Sequence, residues 1–165
     1  MSSAGPERPT SRSPASRLLR VLVWVVCIRC VLGALCAQII ELDKVFIPIH
    51  VGENHWCMAC INFVRRRFEY YDSLGGNNPT CLQYLRQYVV DEARKHSRVQ
   101  FDVSTWEDFC PRDSPRQQNG CDCGVFALKF ADYLSEDAPM DFSQADMPYF
   151  RNRICLEIAQ GKLKD

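Results

Sequence analysis

From Glu41 onward the chain alternates short apolar runs with polar punctuation, and each run has the length of one secondary element. The stretch "KVFIPIHV", 44–51, predicts a buried strand whose Pro48 marks an edge or a bulge. A second strand follows at "HWCMACINF", 55–63, and a third at "RRRFEYYDS", 65–73, joined by a hairpin turn at "FVRR". The turn formers of "LGGNNPT", 74–80, read as a loop. In "CLQYLRQYVVDEARKHS", 81–97, Leu82, Leu85, Tyr88, Val89 and Ala93 recur at helical spacing and predict one apolar face. "VQFDVSTW", 99–106, predicts a further strand, and "PRDSPRQQNG", 111–120, a loop. Helices are predicted at Cys123–Leu134 and at about Gln144–Ala159, and no segment repeats. This order defines an α+β domain over residues 41–165.

Upstream the texture differs. Residues 1–16 are rich in Ser, Pro and Arg and are expected to be disordered. Residues 17–40 form a hydrophobic segment whose apolar run, Val21–Ile28, is followed by Arg29. A charge there is costly inside a bilayer. A secretory signal, a membrane anchor, a buried helix and a spurious leader all stay open for it.

Bulk properties narrow the field only a little. The chain has 165 residues, enough for one domain with a core. Its formal net charge is zero, so no global basicity points to nucleic acid. Ten cysteines would suit a disulfide framework in a small secreted scaffold. The apolar content of 47% allows a packed core instead, which favours free thiols in a reducing compartment.

Two of those cysteines stand apart in "QQNGCDCG", 117–124. Asp122 occupies an N-cap position, which puts Cys123 in the first turn of a helix. There the positive end of the helix dipole and the unpaired N–H groups favour an anionic sulfur. Cys121 lies in the preceding loop, outside that field. Two packing cysteines are the plain alternative.

A thiol nucleophile needs a base, and the base needs an orienting acceptor. The chain has three histidines, His50, His55 and His96. His55 opens the second strand and Asp72 closes the third. If the two strands pair about a turn near Arg65, their outer ends meet and bring His55 beside Asp72. A zinc reading of His50, His55, Cys57 and Cys60 is weakened by strand geometry, because Cys57 and Cys60 are an odd number of residues apart and face opposite sides.

The stretches "PIHVGENHWCMACINF", "FEYYDSLGG", "QQNGCDCGVFALKFADYL" and "MPYFRNRI" together resemble the SUMO-specific (sentrin-specific) cysteine proteases, which cleave ubiquitin-like modifiers. The resemblance covers roughly residues 42–162 and the second half of that family's catalytic domain. It implies a papain-like fold with a mixed or antiparallel sheet and a helix bearing the nucleophile. It further implies Cys123 as nucleophile, His55 as base, Asp72 as its orienting acid and Gln117 as oxyanion donor, with Gln118 in reserve. Cys121 becomes a bystander, and Trp56 becomes the roof of a narrow tunnel for the modifier's Gly-Gly tail. The implied activity is a thiol protease acting on SUMO-like modifiers and their conjugates, without cofactor or metal, in nucleus or cytosol. "YYDSLGG" and "MPYFR" lean towards SUMO among such modifiers.

Residues 1–40 do not resemble the family's first half, which normally supplies packing elements and part of the modifier-binding surface. Exposed apolar surface and marginal stability are therefore expected. A catalytically impaired chain that still binds a ubiquitin-like protein is the alternative function.

Overall fold

A computed structural model of the chain describes residues 39–40, 42–95 and 101–162. The leader expected at 1–16, nearly all of the hydrophobic segment 17–40, and His96 lie outside the described residues. No described helix is long and apolar enough to cross a membrane.

Among the described residues, four strands and three α-helices form: β1 (Lys44–Val51), β2 (His55–Asn62), β3 (Arg67–Tyr71), α1 (Pro79–Lys95), β4 (Glu107–Phe109), α2 (Cys123–Ser135) and α3 (Met147–Gln160). The sheet order is β1-β2-β3-β4. The first three strands form an antiparallel meander, and β4 adds in parallel to β3, so the sheet is mixed. Pro48 lies on β1, an edge strand, where its missing N–H leaves no ladder bond unmade in the interior of the sheet.

Period-two alternation in β2 sends side chains to two separate cores. On one face Cys57, Ala59 and Ile61 pack with Phe68 and Tyr70 against Leu82, Leu85 and Val89 of α1. On the other face Met58 and Cys60 pack with Tyr71 against Phe126 and Phe130 of α2, and Phe142, Met147 and Phe150 close that core. The apolar face read in α1 is the buried one, with Tyr88 at its margin.

The strand expected at 99–106 is not formed by the described residues of that stretch. Val103 and Trp106 are instead buried anchors of a loop, held by a Trp106 N–H bond to the Val103 carbonyl. The Arg86 guanidinium of α1 donates to the carbonyls of Val103 and Trp106 and to Asp108. These carbonyls are thus satisfied by a side chain rather than by a ladder. Pairing begins only at Glu107, opposite Arg67.

The last helix starts one turn later than expected, because a 3₁₀ turn, Gln144–Asp146, precedes it with Ser143 and Asp146 closing a capping box. Only Met147 and Phe150 of α3 are buried. Leu156 and Ile158 stand exposed, Ile158 at 76%. Exposed apolar side chains are thus present on the last helix. All seven described cysteines are free thiols.

Candidate active site

The three candidate residues stand at element ends. His55 is the first residue of β2, Asp72 follows the last residue of β3, and Cys123 is the first residue of α2. The β2–β3 ladder ends at Met58 opposite Tyr71, so its continuation sets Asp72 across from Cys57 and diagonal to His55. From there Asp72 Oδ1 lies 2.7 Å from His55 Nε2, with the two side chains 10% and 13% exposed.

Asp72 is held by more than the imidazole. The Leu74 N–H donates to Oδ1 at 2.7 Å and the Gly76 N–H to Oδ2 at 3.0 Å, while the Gly75 N–H closes a turn onto the Asp72 carbonyl. Gly75 has φ +87°, a conformation open to glycine, and the Arg116 guanidinium occupies the space a side chain there would need. The turn "SLGG" is therefore a cradle for the carboxylate.

Cys123 is buried, and its sulfur lies 3.9 Å from the carbonyl of Asn54, the residue before His55. The next residue, Gly124, faces the Trp56 indole, with Cδ1 4.0 Å from where a Cβ would sit. Trp56 is 42% exposed and stacks on His50, its cross-strand partner, at 4.6 Å. Because His55 spends Nε2 on Asp72, Nδ1 is the ring nitrogen left for a second partner.

Gln117 is buried beside this group. Its N–H and carbonyl groups tie it to Ser73: the backbone N–H donates to the Ser73 carbonyl, and Oε1 accepts from the Ser73 hydroxyl at 2.6 Å. One amide hydrogen goes to the Asn119 carbonyl. A primary amide carries two, so the second is available to a ligand. Gln118 lies outside the cluster, donating its N–H to Gln144.

Asp122 stands at the N-cap position of α2, as expected. Its backbone carbonyl accepts the Phe126 N–H, but its side chain caps nothing. The carboxylate turns instead to Arg151 of α3, whose Nε and Nη2 both donate to Oδ1 at 2.8 and 2.6 Å. Oδ2 accepts from Asn119 and Gln144. Hydrogen bonding, from Asn119 first and then Gln144 and Arg151, holds this carboxyl below its usual range. Arg151 Nη2 also donates to the Cys121 carbonyl at 2.7 Å, and Asn119 Oδ1 accepts the N–H groups of Cys121 and Asp122. Arg151, Asn119 and Gln144 thus fix the loop that delivers Cys123, and no local pattern in the sequence marks them as a set. Cys121 itself is exposed in that loop.

Cys57 also faces the cluster from beneath His55. Burial, above all, pushes its thiol up to about 12, so it stays protonated near neutrality. The set imagined at His50, His55, Cys57 and Cys60 does not assemble, since Cys57 and Cys60 belong to opposite cores.

The domain thus carries a thiol at a helix start, and an imidazole and a carboxylate at neighbouring strand ends of a mixed sheet. The profile of the Ulp1 protease family, C-terminal catalytic domain, matches residues 34–162, and the chain belongs to that family. Ubiquitin-like-specific protease 1A of Arabidopsis thaliana is 45% identical over 122 residues, covering 74% of this chain and 24% of that protein. Sentrin-specific protease 5 of Homo sapiens is 36% identical over 128 residues, covering 78% of this chain and 17% of its own length. Among solved structures, the C-terminal Ulp1 protease domain in complex with SMT3, the yeast ortholog of SUMO, superposes with a TM-score of 0.66 at 33% identity. That match covers 74% of this chain and 55% of the solved one. The chain therefore spans about a quarter of the first relative and little more than half of the solved domain.

Proposed function

We propose that this chain is a thiol protease that cleaves after the Gly-Gly C-terminus of SUMO-like modifiers, with residues 41–165 as its catalytic unit. The observation that supports the reading is the 2.7 Å contact of His55 Nε2 with Asp72 Oδ1, with the Cys123 sulfur 3.9 Å from the carbonyl of Asn54, the residue before His55. Each residue then has one task. Asp72 fixes the ring so that Nδ1 faces the nucleophile. His55 takes the Cys123 proton, and the thiolate attacks the carbonyl carbon of the terminal glycine. The oxyanion is met by the free amide hydrogen of Gln117 and by N–H groups at the start of α2. His55 returns the proton to the departing amine, which is a lysine ε-amine or a peptide nitrogen. Water then releases the modifier by the same route in reverse. Trp56 roofs the tail, and the glycine facing it leaves room for a backbone without side chains. Nucleus or cytosol is the compartment this chemistry fits, because a free catalytic thiol survives there.

A vinyl sulfone placed on the C-terminus of SUMO tests the reading. Labelling is expected for the parent and for Cys121→Ala, and is expected to vanish in Cys123→Ala. Folded parent protein that binds SUMO yet takes no label would mark a binding module instead of an enzyme.

A further inference from the structure

The imidazole of His55 has a second thiol beside it that the reaction does not use. His55 and Cys57 are two residues apart on β2, so both side chains leave the same face of the sheet. Asp72 comes in from the neighbouring strand, opposite Cys57. One ring nitrogen of His55, Sγ of Cys57 and a carboxylate oxygen of Asp72 all lie within 4.8 Å of one another. We propose that these three side chains form a binding site for a borderline-soft divalent cation such as Zn²⁺, and that its occupation switches the enzyme off.

The ligand set favours this class of ion. Nitrogen, sulfur and oxygen donors together suit Zn²⁺, whereas Mg²⁺ and Ca²⁺ take oxygen ligands. Tetrahedral bonds of about 2.0–2.3 Å set ligand atoms roughly 3.3–3.6 Å apart. Asp72 and His55 must therefore part slightly from their 2.7 Å contact while Cys57 swings inward. Three protein ligands leave the fourth position to water. The site is closed behind by the sheet, where Cys57 is 1% exposed, and reached through His55 and Asp72, whose side chains retain some exposure.

Proton balance explains the inhibition, which rests on His55 being the base. Binding releases the Cys57 proton to solvent. If the ion takes the Nε2 lone pair, the hydrogen that Nε2 gave to Asp72 moves to Nδ1, and the ring has no lone pair left for the Cys123 proton. Asp72, turned to the ion, no longer orients the ring.

Co²⁺ is the probe, because a thiolate ligand gives it a charge-transfer absorption that needs no enzymatic activity. The full chain is expected to bind one Co²⁺ with that band, to lose it to Zn²⁺ but not to Mg²⁺, and to lose SUMO cleavage over the same Zn²⁺ range. Cys57→Ala, shown folded by its melting transition, is expected to lose the band and to need at least tenfold more Zn²⁺ for inhibition. Cys123→Ala is expected to keep the band. Should Cys57→Ala fail to fold, Asp72→Asn serves in its place, with Co²⁺ affinity expected to fall at least tenfold. An unchanged band in Cys57→Ala, unchanged affinity in Asp72→Asn, or a band lost in Cys123→Ala would overturn the site. An inactive parent that still shows the band would separate failure of the protease reading from failure of this one.

Discussion

Gly76 stands against Asp72 so closely that a methyl group on it would meet Oδ2 at 2.5 Å, while its own N–H donates to that oxygen. The second glycine of "SLGG" is thus an orienting residue for the carboxylate. Gly76→Ala is expected to rotate Asp72 off His55 and to lower kcat roughly 100-fold, the cost of misplacing a catalytic partner by about an ångström. Steady-state cleavage of a SUMO fusion, with circular dichroism to confirm the fold, checks it. Full activity in Gly76→Ala would show that Asp72 holds its place without this turn.

Arg151 should matter to the reaction although it lies on another helix. Its side chain makes three hydrogen bonds to the loop preceding Cys123, two to Asp122 and one to the Cys121 carbonyl. Arg151→Ala leaves the Asp122 carboxylate short of its cation, at a cost of about 1 kcal/mol because the guanidinium is half exposed and Asn119 and Gln144 still donate to Asp122. Lysine offers a point charge without the fork and is expected to restore stability in part but not the loop. The expected signature is a kcat loss in both variants with little change in KM, alongside a lowered urea midpoint mainly in Arg151→Ala.

Much of this was legible in the sequence because it is local. The His55–Asp72 pair follows from two strands and a short turn, and the ladder from Asn62–Arg67 to Met58–Tyr71 carries it out. Cys123 was legible because a helix begins at a recognisable place. Long-range partners were not. β4 is three residues of "EDF" that pair only because β3 offers a parallel edge, and no apolar alternation announces them. Asp122 has the right type for a cap, yet a guanidinium 29 residues on outcompetes its own helix for the carboxylate. Gln117 was legible by family likeness, but its anchor at Ser73, 44 residues away, was not.

Acid should weaken the anchor of the same loop. The Asp122 carboxyl is held below its ordinary value of 3.8, so the unfolded chain binds its proton more readily than the folded one. The stabilisation is complete above that unfolded value and is lost as pH falls through the lower folded value. The urea midpoint of the parent is therefore expected to drop steeply below about pH 4, and that of Asp122→Asn to be lower at neutrality but flatter through the acid range. Parallel acid limbs in the two proteins would remove Asp122 from the account.

Gly124 offers the sharpest separation of stability from activity. It is the second residue of α2, and a Cβ there would sit 4.0 Å from Trp56 Cδ1, an ordinary contact with no clash. Alanine is a better helix former than glycine, so Gly124→Ala is expected to be as stable as the parent or more so, by up to about 1 kcal/mol. Yet the added methyl projects into the gap between the helix start and the indole, where the proposed tail must lie flat to present its carbonyl to Cys123. Cleavage is therefore expected to fall through KM and kcat together, since the tail would neither enter nor align. Trp56→Ala in the same background should reopen the gap and recover part of the loss, at the cost of selectivity between Gly-Gly and Gly-Ala tails. Measuring kcat/KM for both tails across the three proteins decides it: a Gly124→Ala protein that is stable and fully active would place the tail elsewhere.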